Sequence, residues 1–143
     1  MNIVLGWREW AVLPDLGLPR MRAKIDTGAR TSALHVDASW RFTEAGAPWV
    51  GFRVSSGRKR IRTVEAAAPL VDEREVVDSG DLRGPRPFLR TTLWLAGQAR
   101  PVEINLTDRG GMLFPLLVGR SALGGAFTVD PARFFLHPRP ERA

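Results

Sequence analysis

Three adjacent residues, Asp26, Thr27 and Gly28, have the types and spacing best suited to chemistry in this chain. They follow the apolar Ile25, so Asp26 is expected at a strand end, where its carboxyl group can act as a general acid or base. Glycine two positions later allows a tight turn because it has no Cβ atom, and the threonine hydroxyl can hydrogen-bond to a neighbouring loop. Asp26 is therefore the candidate catalytic residue. The alternative is a strand-end turn in which Asp26 only caps the backbone.

The motif occurs once in the sequence. An enzyme that hydrolyses a bond by means of aspartates needs two carboxyl groups. Two aspartates about 3 Å apart cannot both ionise, so they share one proton, and one serves as base while the other serves as acid. We therefore predict a homodimer in which the Asp26 loop meets its own copy at a two-fold axis. The terminal segments 3–5 and 134–136 are expected to complete that interface.

The elements that position these residues are predicted to be strands. Short apolar runs alternate with glycine and proline, which predicts an all-β barrel or sandwich. The predicted strands are 3–5, 10–13, 21–25, 49–54, 60–65, 74–77, 88–91, 92–95, 102–106, 112–118, 127–129 and 134–136. Within 102–106 apolar and polar residues alternate, which places Glu103 and Asn105 on a solvent-facing side. Residues 121–123 allow one or two helical turns before two glycines.

Residues 78–87 are polar, rich in glycine and proline, and lie between two predicted strands. We predict that this segment is a flap that closes over substrate, with Asp78, Gly80, Arg83 and Gly84 in contact with it. The alternative is an ordinary long loop.

Composition limits the class of protein. A chain of 143 residues with 44% apolar content fits one soluble domain, expected over 1–137 with a flexible tail at 138–143. No stretch approaches a membrane span, and no leader typical of a signal peptide is expected. The absence of cysteine excludes disulfides and thiolate metal sites. A cytoplasmic location is the simplest expectation.

The net charge of +6 favours an acidic partner, and all but two of the 21 basic residues are arginine. A dense group at Arg53, Arg58, Lys59, Arg60 and Arg62 reads either as a solvated hairpin or as part of such a binding surface. Nucleic acid is disfavoured because the chain has no nucleic-acid-binding motif and its cations are spread along the sequence. An acidic polypeptide could pair its carboxylates with these guanidinium groups.

The chain resembles a bacterial retropepsin-like family, also described as ATP-dependent zinc proteases, from about Val4 to Leu136. The resemblance is carried by GWREW at 6–10, AKIDTGARTSALH at 23–35 and LVGR at 117–120. It implies a closed barrel of short strands with one short helix after Arg120. It also implies that Asp26 is catalytic, with Thr27 and Gly28 as its loop, and that Gly119 and Arg120 support this loop from beneath. The alternative is that Arg120 is only a surface cation that follows a strand.

Members of that family are often encoded near a ligase that adds glutamates to the tail of a small-subunit ribosomal protein. The resemblance therefore implies cleavage of glutamate-rich tails, and a glutamate ligase is a possible partner. Ala29, Arg30, Thr31 and His35 follow the loop and are the expected substrate contacts. Arg30 could favour the ionised aspartate pair or bind an acidic substrate.

The zinc and ATP in the family's other description have no matching motif in this sequence. A phosphate-binding G-x-x-x-x-G-K-[ST] loop is absent, and the only histidines are His35 and His137, without zinc-protease spacing. We therefore expect no metal or cofactor, with His35 structural or in contact with substrate. Two alternatives to an aspartic peptidase stay open. One is a non-catalytic module that binds an acidic peptide or regulates a ligase, and the other is a zinc hydrolase.

Overall fold

The computed structural model describes residues 2–56, 60–77, 83–108 and 114–141. Within these ranges the chain forms twelve β-strands, two 3₁₀ helices and no α-helix, which confirms the all-β prediction. The strands are β1 (Ile3–Leu5), β2 (Arg8–Val12), β3 (Met21–Asp26), β4 (Ser32–Val36), β5 (Ala38–Glu44), β6 (Ala47–Ser56), β7 (Arg62–Pro69), β8 (Asp72–Val77), β9 (Arg83–Leu95), β10 (Gln98–Asp108), β11 (Leu116–Gly119) and β12 (Phe127–Val129). The 3₁₀ helices span Pro14–Leu16 and Arg120–Ala122. A short helix was expected after Arg120, and a single 3₁₀ turn that begins at Arg120 is found there.

Six strands pair edge to edge into a closed ring. The pairing order is β10, β4, β11, β3, β2 and β9, and β9 pairs back onto β10. Each strand of the ring therefore has a neighbour on both edges, which leaves no open edge inside the ring. The expected closed sheet is present in this form, although β9 and β10 are long, with 13 and 11 residues. β8 pairs with β9 from outside the ring.

β11 has the position on which the candidate site depends. It lies between β3 and β4, the two strands that are connected through the Asp26 loop. The register places Gly119 beside Asp26 in the parallel pair with β3, and Leu116 opposite Leu34 in the antiparallel pair with β4. Leu116 and Val118 are buried, as the apolar run predicts. β11 begins at Leu116 rather than at residue 112, and residues 112–113 lie outside the described ranges.

β5, β6 and β7 form a separate antiparallel sheet that shares one apolar core with the ring. Val50, Phe52 and Val54 alternate along β6 and point into this core. The predicted hairpin over 49–54 and 60–65 is confirmed as β6 and β7, although β7 begins at Arg62. β4 and β5 were not predicted, because residues 38–44 of β5 are half-buried or exposed and lack a regular apolar alternation.

The predicted strand-turn-strand unit around residue 97 is confirmed as the β9–β10 hairpin. Its two-residue turn has φ of 52° at Ala96 and 78° at Gly97, and the β5–β6 turn repeats this with 51° at Ala45 and 79° at Gly46. Positive φ at both positions matches the right-handed twist of the flanking strands. The two strands predicted over 88–91 and 92–95 form one continuous strand, β9, of 13 residues.

The two ends of the described chain pack together. β1 pairs with β12 in parallel, so residues 3–5 are paired within the same chain. The segment 130–141, called here the C-terminal strap, then runs along β2. The Trp7 N–H donates to the Arg133 carbonyl at 2.8 Å, and the Phe135 N–H donates to the Arg8 carbonyl at 2.9 Å. The Arg20 side chain donates to the carbonyls of Pro140 and Glu141.

The prediction of a strand over 134–136 is wrong. Phe135 has a φ of 47°, which is incompatible with extended backbone, so the strap turns at this residue. Phe134 and Phe135 therefore point to different neighbours, Trp7 and Trp10. Residues 3–5 are therefore paired with β12 on one edge, and residues 134–136 are irregular. The part of both segments in a dimer interface stays a prediction.

Glu9 joins the two ends of the chain. Its side chain is 1% exposed and accepts hydrogen bonds from the N–H groups of Gly6 at 2.7 Å, Leu136 at 3.0 Å and His137 at 3.3 Å.

We predict that Glu9→Gln lowers the free energy of unfolding by about 2–3 kcal/mol, because an amide NH₂ faces donors that need an acceptor. Urea denaturation measures this. Glu44→Gln, at an exposed position, is the control and should change stability by less than about 0.5 kcal/mol. Equal stability of both variants would contradict the role given to Glu9.

Candidate active site

Asp26 ends β3 and begins a tight turn. Its Oδ1 accepts a hydrogen bond from the Gly28 N–H at 3.0 Å, and its carbonyl accepts one from the Ala29 N–H at 3.2 Å. Asp26 is half-buried, while Thr27 and Gly28 are exposed. The turn therefore fixes the aspartate backbone and presents Thr27 and Gly28 on its outer side.

Gly119 supports this turn from beneath. A Cβ atom at this position would lie 2.6 Å from the Thr31 carbonyl carbon and 3.0 Å from the Ala29 carbonyl oxygen. The backbone of β11 thus approaches the loop more closely than any side chain would permit. The N–H groups of Arg120 and Ser121 donate to the carbonyls of Ala29 and Arg30 at 2.8 and 3.1 Å.

The Arg120 side chain also contacts the loop. Its Nη1 donates to the carbonyls of Gly28 at 3.3 Å and Thr27 at 3.4 Å. Arg120 is exposed, so solvent weakens each of these bonds. The residue consequently lies against the Asp-Thr-Gly turn through both its backbone and its guanidinium group.

A buried polar network, which the sequence did not predict, extends from the loop into the sheet. The Ser32 hydroxyl accepts from the Gly119 N–H at 3.0 Å, and the Asn105 amide donates to the Ser32 carbonyl at 2.9 Å. Thr107 donates to Asn105 at 3.2 Å, and Arg86 donates to Thr107 at 3.2 Å. Asn105 is 1% exposed, so its predicted solvent-facing position is wrong. Its strand face is covered, and a hydrogen-bonding side chain there satisfies neighbouring polar groups.

The remaining expected contacts from the loop region lie on the loop or on β4. Arg30 is exposed and Ala29 is half-buried. Thr31 is half-buried, with its hydroxyl 3.5 Å from the Asn105 amide nitrogen. His35 lies one strand length away, near the end of β4, where its N–H donates to the Pro115 carbonyl at 2.8 Å. These residues share a connected stretch of backbone, but His35 is separated from the turn.

The proposed flap is a β-hairpin formed by β8 and β9. Gly84 pairs with Val76, and the backbone of Arg83 pairs with Val77. Asp78 and Gly80 lie outside the described residues. The predicted loop over 78–87 is therefore wrong for residues 83–87, which belong to β9.

Residues 83–87 were predicted to be a loop because they contain two prolines. The Val71 N–H donates to the Phe88 carbonyl at 2.8 Å, so even-numbered residues of β9 direct their backbone polar groups towards β8. The backbone nitrogens of Pro85 and Pro87, which carry no hydrogen, consequently face away from β8. They lie on an edge of β9 where the pairing with β10 has already ended. The strand continues through both prolines without losing a hydrogen bond to β8.

The base of the hairpin is tied to β10 by charge. Arg74 of β8 contacts Glu103 at 3.0 Å and Asp72 at 2.8 Å, and Arg90 contacts Glu103 at 3.1 Å. The hydrogen bond from Arg74 lowers the pKa of Glu103, partial burial opposes this, and the hydrogen bond from Arg90 lowers it further. The hydrogen bond to Glu103, followed by the one to Asp72, raises the pKa of Arg74.

No three histidine, aspartate or glutamate side chains lie close enough to hold a metal ion in the ranges that the structure covers. His35 therefore belongs to no set of metal ligands in these ranges, and the described residues do not fit a zinc centre. The described chain also contains no helix that is long and apolar enough to cross a membrane.

A closed all-β sheet that threads one strand beneath an Asp-Thr-Gly loop defines the retropepsin-like class of aspartic peptidases. The family model for RimB-like proteins, described as the retropepsin-like aspartic endopeptidase RimB, matches residues 4–140. The chain belongs to this family, which confirms the resemblance found in the sequence.

Several relatives carry the same domain within a longer protein. A probable alpha-L-glutamate ligase of Shewanella pealeana is 35% identical over 137 residues, which cover 94% of this chain and 30% of that protein. A protein of the same description from Parasynechococcus marenigrum is 35% identical over 131 residues, covering 91% of this chain and 28% of that protein. The chain thus spans less than a third of the length of these relatives.

A solved structure has the same fold. A Legionella pneumophila protein of unknown function superposes with a TM-score of 0.74 at 30% identity, covering 95% of this chain and 98% of that one. The similarity therefore extends over both proteins almost completely.

We predict that Gly119→Ala lowers the free energy of unfolding by about 3 kcal/mol, because the new methyl group overlaps the loop backbone. Gly119 has a φ of −85°, so the effect would be steric rather than conformational. Gly124→Ala is the matched control, since its Cβ would meet nothing nearer than the Arg120 carbonyl at 4.0 Å. Urea denaturation of both variants measures the difference, and equal stabilities would contradict the close approach.

We predict that Glu103 contributes to stability at neutral pH and loses this contribution in acid. Its pKa is lowered in the folded state, so the contribution is complete above the unfolded value of about 4.3 and disappears as the pH falls through the lower folded value. Denaturation between about pH 6 and pH 3 should show a shallower loss of stability in Glu103→Gln than in the wild type. Parallel curves for the two proteins would contradict this.

Proposed function

We propose that the chain is an aspartic endopeptidase that works as a homodimer, with Asp26 of each copy contributing to one site. The observation that carries this proposal is the turn itself. Asp26 is held from below by β11, while Thr27 and Gly28 are exposed on its outer side. A second copy of the same turn would meet this side across a two-fold axis, with each Thr27 hydroxyl available to the opposite loop.

The reaction follows from two carboxyl groups that share one proton. The ionised carboxylate takes a proton from water as the water oxygen bonds to the substrate carbonyl carbon, and the protonated partner gives its proton to the carbonyl oxygen. In the second step the C–N bond breaks, the amine takes a proton from one carboxyl group, and the other recovers a proton from the gem-diol. The pair returns to its starting state.

Other residues have supporting roles in this proposal. Gly119 and Arg120 hold the turn through the contacts described above. Ala29, Arg30, Thr31 and His35, together with the flap residues 78, 80, 83 and 84, would contact the peptide chain. The hairpin of β8 and β9 would close over the substrate and exclude water.

The proposed substrate is an acidic, glutamate-rich peptide tail. The net charge of +6 favours such a chain by long-range attraction. The relatives described as glutamate ligases carry this domain beside a larger remainder, which links the domain to glutamate addition. We propose that it trims such tails in the cytoplasm, in partnership with a glutamate ligase.

The same relatives favour a second candidate function. Because the domain forms only 30% of the Shewanella protein, it could serve there as a module that binds an acidic tail for the rest of that protein. In this chain the equivalent role would be binding without cleavage, as a regulator of a ligase.

We predict that Asp26→Asn reduces cleavage of a glutamate-rich peptide about a thousandfold or more, because an amide cannot exchange the required proton. Mass spectrometry of the peptide products measures the loss. Asp15→Asn, at an exposed site in the first 3₁₀ helix, is the matched control and should cleave at the wild-type rate. Solution mass measured in parallel should give a dimer.

Three outcomes separate the candidates. Cleavage by Asp26→Asn at the wild-type rate would exclude the aspartate mechanism. Binding without cleavage by both proteins would favour the regulatory module. Cleavage that is lost with a chelator and restored by zinc would revive the metal hydrolase.

A further inference from the structure

The Arg8 side chain is held by three aromatic rings. Its guanidinium carbon lies 4.6 Å from the centroid of the Trp7 ring, 4.3 Å from that of Phe134 and 5.0 Å from that of Phe135. Contacts with aromatic faces attract the cation. They also restrict its rotamers, so its orientation is set before any ligand arrives and less entropy is lost on binding.

Arg8 has no carboxylate partner among the described residues. Four arginines elsewhere form ion pairs: Arg41, Arg53, Arg74 and Arg90. The Arg8 Nε is buried without a hydrogen bond, and its contacts within the described ranges are those with the rings. The neighbouring Glu9 is committed to the backbone of Gly6 and the strap. The terminal Nη donors of Arg8 therefore remain for a ligand.

Arg8 lies on the same face of the sheet as Asp26. Along β3, Met21, Ala23 and Ile25 point into the core, so Lys24 and Asp26 share the opposite face. Arg8 is the cross-strand partner of Lys24, and the Ile25 N–H donates to the Trp7 carbonyl at 2.8 Å. Lys24 is exposed and lies about 7 Å along the strand from Asp26. Two cations therefore flank the catalytic candidate on one side.

We propose that Arg8 and Lys24 form a carboxylate-binding subsite beside Asp26. A guanidinium group can take a carboxylate through two parallel hydrogen bonds, and an ammonium group adds a flexible second charge. The carboxylate comes from a glutamate side chain of a bound peptide or from its C-terminus. This subsite deepens the proposed function, because it would set the position of acidic residues relative to the cleaved bond.

Binding is measured in the Asp26→Asn background, so that it does not depend on cleavage. The probe is fluorescein-labelled hexaglutamate, with a free or an amidated C-terminus, followed by fluorescence anisotropy at fixed ionic strength. Hexaglutamine is the neutral peptide control. Arg41→Gln is the matched protein control, since it removes the same charge from an exposed position on the separate three-stranded sheet, where Glu73 already pairs with it.

We expect Arg8→Gln to weaken hexaglutamate binding about tenfold, as for the loss of a charge-assisted hydrogen bond, and Lys24→Gln about threefold, as for an exposed pair. Arg41→Gln should weaken it by less than about twofold. Arg8→Lys should restore only part of the loss, because it lacks the planar pair of donors. If Arg8→Gln weakens binding of the free and the amidated peptide equally, the subsite binds glutamate side chains. If the free peptide binds more tightly than the amidated one and Arg8→Gln abolishes this difference, the subsite binds the C-terminal carboxylate.

The proposal is overturned if both substitutions leave binding unchanged, if Arg41→Gln matches Lys24→Gln, or if hexaglutamine binds as tightly as hexaglutamate. If Arg8→Gln fails to fold in thermal denaturation, Lys24→Gln decides, because that side chain is exposed. A change in solution mass for Arg8→Gln without a change in binding assigns the residue to a subunit contact and overturns the subsite. Absence of cleavage by the wild type, with the expected pattern of binding, refutes the peptidase and leaves the subsite standing.

Discussion

The close approach of Gly119 to the Asp26 loop is the constraint on which the rest of the site depends. β11 must pass between β3 and β4 to reach this position, and only a residue without a Cβ atom fits against the carbonyls of Thr31 and Ala29. The loop is therefore bounded on its inner side by backbone rather than by mobile side chains. Such a boundary fixes the aspartate without adding any residue to the outer side.

The polar network carries this fixation further into the sheet. Ser32 accepts from Gly119, Asn105 donates to Ser32, and Thr107 links Asn105 to Arg86 on the strand that leads to the flap. Hydrogen bonds within a dry interior are costly to break, because the freed groups find no water. The Asp26 loop and β9 are thus connected through hydrogen-bonded groups, and the ion pairs around Glu103 tie the base of the β8–β9 hairpin to β10. The catalytic candidate and its expected cover consequently share one rigid foundation.

The residue pattern alone predicted the all-β class and the tight turn at Asp26, because both depend on local preferences of particular residue types. The position of Gly119 and Arg120 beneath this turn was implied by the resemblance to a family. The residue pattern did not predict contacts that depend on register over long distances. Alternation correctly placed the Asn105 side chain on the opposite face of β10 from Val102 and Leu106. It could not show that the Asn105 side chain is also buried. Pro85 and Pro87 indicated a loop, because only the paired structure reveals which edge of β9 lacks a partner. The irregular strap likewise depends on one residue, Phe135, whose positive φ has no signature in its type.

The pairing of the first strand with the last has a consequence for how the chain acquires its structure. Residues 3–5 pair with residues 127–129, and Glu9 awaits donors from residues 136 and 137. These contacts span nearly the whole sequence, and contacts of such separation close slowly because most of the chain must first be ordered. A growing polypeptide would leave the Glu9 carboxyl group with the Gly6 N–H and without its donors at residues 136 and 137 until these residues emerged. Completion of the fold is thus a late event that depends on the last few residues of the strap.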